Sequence, residues 1–207
     1  MAARLQVWFE FASTYSYVAI GRIEPLAQEL EVTLDYKPFM LGPIFASQGW
    51  DTSPFNIYEA KGRYMWRDMQ RLCDAYDLPL RRPSLFPRNG LHAARIAILG
   101  AEQPWGAAFV RAVYRANFAE DREISDAAVL GEILSDLGQD AQALLEQAGT
   151  PETKQRLREQ SDQAVSLGIF GAPTFVVNDA DDEMFWGNDR LEQALEWASA
   201  IGSVKNS

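Results

Sequence analysis

Leu5-Gln6-Val7-Trp8-Phe9-Glu10-Phe11-Ala12-Ser13-Thr14-Tyr15-Ser16-Tyr17 opens the chain and sets the reading of everything after it. Leu5, Val7, Phe9 and Phe11 alternate with other residues, which is the period of a half-buried strand. From Tyr15 to Glu31 the apolar positions shift to helical spacing, through Val18, Ile23, Leu26, Ala27 and Leu30. Val32, Leu34 and Tyr36 then alternate again up to Pro38. Strand, long helix and strand predict a parallel βαβ unit with a right-handed crossover. The other end of the chain returns to strands. Thr174 to Val177 and Glu183 to Trp186 predict an antiparallel hairpin around a polar turn at Asn178 to Asp182. Asn188 to Ile201 closes as a helix with Leu191, Ala194, Leu195 and Ala198 on one face.

Between these ends the pattern is helical. Residues 40 to 60 read as irregular, because Gly42-Pro43, Gly49, Ser53-Pro54 and Asn56 are turn formers. Gly62 to Tyr76 reads as a helix and Leu78 to Asn89 as a loop rich in Pro and Arg. Leu91 to Gly168 reads as several helices, broken at Gln103-Pro104, restarted at Ser125-Asp126, ended at Gly138 and restarted by the cap Thr150-Pro151-Glu152. The expected fold class is α/β: a βαβ–ββα mixed sheet carrying a large all-helical insertion. The division is 1–40 with 168–207 for the sheet domain and 41–167 for the insertion.

Composition narrows the function. Of 207 residues 47% are hydrophobic and 23% charged, which fits a packed core and excludes disorder. The one cysteine, Cys73, excludes internal disulfides, CxxC redox chemistry and zinc ribbons. The one histidine, His92, excludes a histidine-rich metal site. Cys73 reads as an inert helix thiol and His92 as structural. A net charge of −10 disfavours nucleic acid as a partner. No apolar run reaches the ~20 residues of a membrane span, and no secretion signal is visible, so a cytoplasmic location away from membranes is expected. Charge is uneven: Lys61 to Arg95 hold eight Lys/Arg against three Asp. Such a segment is either a solvated face or a landing place for a small anion.

Three short stretches can carry chemistry. Ser13 stands where the first helix begins, so it is either a plain cap or a hydroxyl beside free N–H groups that favour an anion. No Gly-x-Ser-x-Gly elbow surrounds it and the only imidazole is His92, which argues against a hydrolase triad. Pro173 precedes a strand; a cis bond there would leave the Ala172 backbone open to an extended peptide. Gly187-Asn188-Asp189-Arg190 is either a turn and cap or a clamp for a zwitterion. In the clamp the carboxylate takes an α-ammonium and the helix-start N–H groups take an α-carboxylate.

Together these stretches carry a resemblance. The element order with Ala172-Pro173 before the third strand is similar to DsbA-like thioredoxin folds with a helical insertion. Their CxxC position reads Ser13-Thr14-Tyr15-Ser16 here, with both sulfurs absent. A serine in first place resembles the kappa-class glutathione transferases, and more closely the 2-hydroxychromene-2-carboxylate isomerases. The closer resemblance rests on Phe9-x-Phe11-x-Ser13-x-Tyr15-Ser16-Tyr17, on Phe170-Gly171-x-Pro173-Thr174 and on Trp186-Gly187-Asn188-Asp189-Arg190-Leu191. Thr14 departs from the isomerases' usual proline.

The resemblance implies glutathione as cofactor and Ser13 as the catalytic partner of its sulfur. It implies a cis Pro173, with Ala172 pairing the cysteinyl unit. Asn188 and Asp189 are then expected at the γ-glutamyl end, and Asn56 and Lys61 near the glycine carboxylate. The implied substrate is a small aromatic carboxylate, held by one or more of Arg63, Arg67, Arg81, Arg82 and Arg88, with Trp186 lining its site; the implied assembly is a homodimer. The implied activity is a glutathione-dependent isomerisation. A kappa-type transferase or peroxidase and a non-catalytic thioredoxin-fold binding module are the alternatives.

Overall fold

A computed structural model describes residues 3–177 and 182–204. β1 (Ala3–Phe9), α1 (Thr14–Glu29) and β2 (Val32–Pro38) form the βαβ unit, with β1 and β2 parallel. β3 (Thr174–Val177) and β4 (Glu183–Trp186) are the antiparallel hairpin; its turn, at 178–181, lies outside the described residues. β3 docks antiparallel on β1, which gives the order β2-β1-β3-β4.

Both faces of the sheet are covered. Leu5, Val7 and Phe9 point into a cluster shared with α1, with α4 (Glu59–Ala75), α5 (Leu91–Gly100) and α6 (Gly106–Phe118), and with α10 (Leu191–Val204). Trp8 and Val176 point the other way, onto Phe39, Ile44 and Ala164. Those partners come from the end of β2, from α2 (Leu41–Ser47) and from α9 (Pro151–Ser166). A strand buried on both faces explains why β1 carries Val-Trp-Phe in a row instead of alternating strictly.

The middle of the chain differs from the sequence reading in one place. Residues 40–60 are not all irregular: α2 and α3 (Pro54–Ile57) lie there. Pro43 and Pro54 sit in the first turns of these helices, where no N–H is needed, and Ser53 caps α3 by accepting from Phe55 N–H at 3.3 Å. The other breaks fall as the sequence signals place them. Asp126 caps α7 (Ala127–Asp136), Gly138 takes a positive φ just beyond it, and α8 (Ala141–Ala148) follows. Thr150 caps α9. β1 stops at Phe9, not Phe11, because Ser13 N–H donates to the Glu10 carbonyl at 2.9 Å and turns the chain into α1.

Candidate active site

Trp8, Thr174 and Trp186 stand in one row of the sheet register. The segments Glu10–Ser13, Gly171–Pro173 and Gly187–Asp189 therefore meet at one end of the sheet. They form the floor of a cavity of about 1420 Å³, whose outer wall is built from α2, the following loop, α3 and the start of α4.

Ser13 is the N-cap of α1 and is partly open to this cavity. Its hydroxyl oxygen accepts from Ser16 N–H at 3.2 Å, and its O–H donates to the Ala172 carbonyl at 2.9 Å. The Ala172–Pro173 bond is cis, as the sequence reading expects. Ser16 is fully buried and does not line the cavity. The floor is tied together by backbone and side-chain bonds. Gly187 N–H donates to Pro173 O at 3.0 Å, and Thr174 Oγ1 donates to Gly171 O at 2.8 Å. Gly187 has φ +106°, a conformation that side chains rarely adopt, which is why a glycine opens the third segment.

The sequence-predicted residues are distributed unequally. Ser13, Lys61, Ala172, Asn188 and Asp189 line the cavity. Pro173, next to Ala172 in the chain, is not part of the lining. Asn188 is buried. Arg22 on α1 donates through Nε to its Oδ1 and through its terminal nitrogen to its carbonyl, both at 3.4 Å. Arg22 is in turn paired with Glu192 at 2.7 Å and stacked over Tyr76. Asp189 is exposed, and its contact with Arg190 at 3.4 Å is a solvated pair between neighbours. Asn56 does not line the cavity; its amide donates to Thr52 Oγ1 and to Phe86 O.

The arginine candidates are corrected by the geometry. Arg63, Arg67, Arg81 and Arg82 lie off the cavity wall. Arg63 pairs with Glu59, and Arg82 covers Trp66. Arg88 does line the cavity, but its guanidinium is buried and committed to Asp121, Asn117 and Glu123. Ser84 N–H, which donates to Asp121 at 2.8 Å, and then the Arg88 bond hold the Asp121 carboxyl down at about 2. Among the described residues Lys61 is thus the lining cation without a carboxylate partner, with its ammonium 4.8 Å from the Tyr58 ring.

Aromatic faces complete the site. Phe170 and Trp186 form a tilted pair with centroids 4.9 Å apart, both exposed at the cavity's edge, and Trp50 lines the wall, whereas Trp66 packs on Phe86 and is not part of the lining. Tyr15 donates to Asp68 on α4 at 3.0 Å, and burial raises its phenol. Cys73 is buried and its thiol is pushed up to about 11 by desolvation, which makes it inert. His92 lies outside the cavity, with burial lowering its pKa and a hydrogen bond to the Leu145 backbone opposing that shift.

Sequence reasoning missed Glu10. Its carboxylate lines the floor three residues before Ser13, accepts from Ala12 N–H at 3.0 Å, and is pushed up to about 7 by desolvation. The available signal was an acid set between Phe9 and Phe11 at the end of a buried strand.

Comparison with known proteins agrees with this geometry. A DSBA-like thioredoxin domain is recognised over residues 4–197. The 2-hydroxychromene-2-carboxylate isomerase of Sphingobium xenophagum is 31% identical over 93% of this chain and 96% of its own length. The chain belongs to the 2-hydroxychromene-2-carboxylate isomerase family of DsbA-like thioredoxin folds. A solved structure of such an isomerase superposes with a TM-score of 0.83 at 27% identity, covering 97% of this chain and 95% of that one. Human glutathione S-transferase kappa 1 is a more distant relative of this isomerase-family chain, 24% identical over 91% of it and 87% of its own length. Among the described residues, no helix is long and apolar enough to cross a membrane.

Proposed function

We propose that the protein is a glutathione-dependent isomerase of 2-hydroxychromene-2-carboxylate or a similar conjugated aromatic keto acid. One observation carries the reading: the Ser13 hydroxyl, at the N-terminus of α1, meets the Ala172 carbonyl inside a cavity of about 1420 Å³. Ligand pockets usually hold ~300–1,000 Å³, so this one has room for a tripeptide and a second small molecule.

The residues present fit glutathione. When bound, it supplies a thiolate that adds to a conjugated double bond and leaves again, so that the bond is single long enough to rotate. The protein's part is to hold and bias. The Ala172 carbonyl accepts the ligand's amide N–H, which frees the Ser13 O–H to turn toward the sulfur. The N-terminus of α1 adds a favourable potential of about 0.3–1 kcal/mol for the anion. Asp189 faces the α-ammonium, and the buried Asn188, held by Arg22, fixes the turn that presents it. Lys61 takes the glycine carboxylate; Asn56, which turns to Thr52 and Phe86, has only a supporting place beside it. Phe170 and Trp186 offer apolar faces to an aromatic acceptor.

The kappa-class relatives favour a second reading, transfer of glutathione to an electrophile through the same half-site. Two measurements test both. Thiolate absorbance of glutathione should rise in the protein's presence at neutral pH; no rise removes both enzymatic readings. Turnover of the chromene acid, with little on chlorodinitrobenzene, is the result expected for an isomerase, and the reverse ratio overturns it in favour of the transferase.

A further inference from the structure

Glu10 is a cavity acid, set three residues before Ser13, to which the mechanism above gives no task. Its position is unusually fixed. Its carbonyl accepts from Tyr114 O–H at 2.8 Å and from Ser13 N–H, and its Oε2 accepts from Ala12 N–H. Oε1 receives no hydrogen bond from the described residues and is directed toward Gly90, the N-cap of α5. A Cβ at residue 90 would stand 3.3 Å from Oε1 and 2.9 Å from Phe11 Cβ. Gly90 and Glu10 both line the cavity, and the glycine sets no side chain against this oxygen.

The groups around Glu10 supply no competing charge. From α6 comes Tyr114, whose phenol burial holds well above the usual range, so it stays neutral. From the loop before α5 comes Arg88, already committed to Asp121, Asn117 and Glu123. From α1 the lining takes Ser13, Thr14 and Tyr15, all hydroxyl side chains, and burial raises the Tyr15 phenol so that it too stays neutral. Lys61, Asp51, Asp68 and Asp189 also line the cavity, and none of them contributes to the shift of Glu10. Desolvation outweighs the one lowering contact, the Ala12 N–H, and raises Glu10 to about 7, where both protonation states are populated at neutral pH. A proton carrier works best when its pKa lies near the working pH.

We propose that Glu10 is a catalytic acid–base of the isomerisation, lending its proton to the acceptor's keto oxygen while the conjugated double bond is saturated. The inference rests on the isomerase reading. As the new bond to carbon forms, an electron pair moves through the acceptor onto its keto oxygen; the Glu10 O–H bond breaks and an O–H bond forms on that oxygen. After rotation the carboxylate takes the same proton back, the carbonyl reforms and the bond to carbon breaks. No proton or electron is gained or lost overall.

The test uses Glu10→Gln and Glu10→Asp beside the unaltered protein. General acid–base catalysis contributes roughly 10²–10⁴-fold, so Glu10→Gln should lose at least about 100-fold in kcat for the chromene acid. Its glutathione affinity and thiolate absorbance should stay as they were. The unaltered enzyme should lose activity as pH rises through about 7; the glutamine variant should lack that limb and the aspartate variant should keep it. Without any ligand, infrared spectra should show a protonated carboxyl that titrates near neutrality and is missing in Glu10→Gln. A glutamine variant with kcat within threefold and an unchanged alkaline limb overturns the assignment. So does a variant whose lost rate is matched by lost thiolate, because Glu10 would then act on the sulfur. An unaltered protein that neither raises thiolate absorbance nor isomerises the acid fails the isomerase reading itself, a result distinct from an active enzyme indifferent to residue 10.

Discussion

The floor and the outer wall of the cavity are built in opposite ways. The floor is cross-braced: Ser13 to Ala172, Gly187 to Pro173, Arg22 to Asn188, and Asn117 Nδ2 to Phe11 O at 3.0 Å, with Arg88 bonded to Asn117 in turn. Each brace joins residues far apart in sequence. The outer wall from Leu41 to Lys61 is two short helices and a loop, and its hydrogen bonds are mostly local, such as Ser47 to Ile44 and Phe55 to Ser53. Braced groups hold a fixed geometry, which activation of a thiol requires. A locally bonded wall can change its residues without disturbing the floor. The contrast teaches where to look for each property: fixed geometry on the floor, tolerance of substitution on the wall.

Ser13→Ala should break the contrast most. Losing one hydrogen bond to a charged group costs about 1.5–3 kcal/mol, so kcat/KM should fall roughly 10- to 150-fold. Loss of the cap to Ser16 N–H should lower stability by about 1 kcal/mol, read in a denaturant melt. Unchanged kcat/KM with lowered stability would leave the serine as a cap alone. Gly90→Ala comes next. The new methyl meets Phe11 Cβ at 2.9 Å, so the floor must shift, and overpacking of this kind costs about 1–3 kcal/mol. A melt indistinguishable from the unaltered protein would show that the floor yields more easily than its bonds suggest.

Asp189→Asn probes the rim. Its side chain is exposed, so its contact with an ammonium should be worth about 0.2–1 kcal/mol, not the value of a buried pair. The glutathione KM should rise at most about fivefold with kcat unchanged, because a contact far from the sulfur is equally good before and during reaction. A fall in kcat would place Asp189 nearer the chemistry. The smallest effect belongs to the wall. A Cβ at Gly42 meets nothing within 4 Å, so Gly42→Ala should change stability by no more than about 0.5 kcal/mol. Only the relative KM of bulky and slim acceptors should move, and equal shifts for Gly42→Ala and Gly90→Ala would erase the difference between floor and wall.

The legible parts of the molecule are those written by period or by a capping residue. β1, α1 and β2 follow from their repeats, and Asp126 and Thr150 mark helix starts by their side chains alone. α2 and α3 escaped because seven and four residues are too few for a period to show, and because Gly42-Pro43 and Ser53-Pro54 look the same in a turn as in a first helical turn. Ser13, Ala172 and the Asn188-Asp189 pair were visible through resemblance. Their supports were not: Arg22 reaches Asn188 across 166 positions, and nothing local marks the pair. The charge-rich stretch misled for a related reason. Composition counts Arg88 as a free cation, whereas Asp121 and Glu123, more than 30 positions away, consume it. Glu10 was hidden because desolvation by surrounding helices, which no local pattern encodes, gives it its character.

If Ser13 serves a thiol as proposed, its bond to the Ala172 carbonyl sets an admission rule for that thiol. At rest the hydroxyl is spent, and drawing it toward a sulfur strands a carbonyl that must then find another donor. A peptide thiol brings that donor with it, one residue unit from the sulfur, so partners are exchanged and none is lost. A bare alkyl thiol brings sulfur alone and leaves the carbonyl unpaired, a loss of about 1–3 kcal/mol for a group shielded from water. Under the proposed function, the pair of atoms that would activate a peptide thiol would tax the small thiols that share its reactivity.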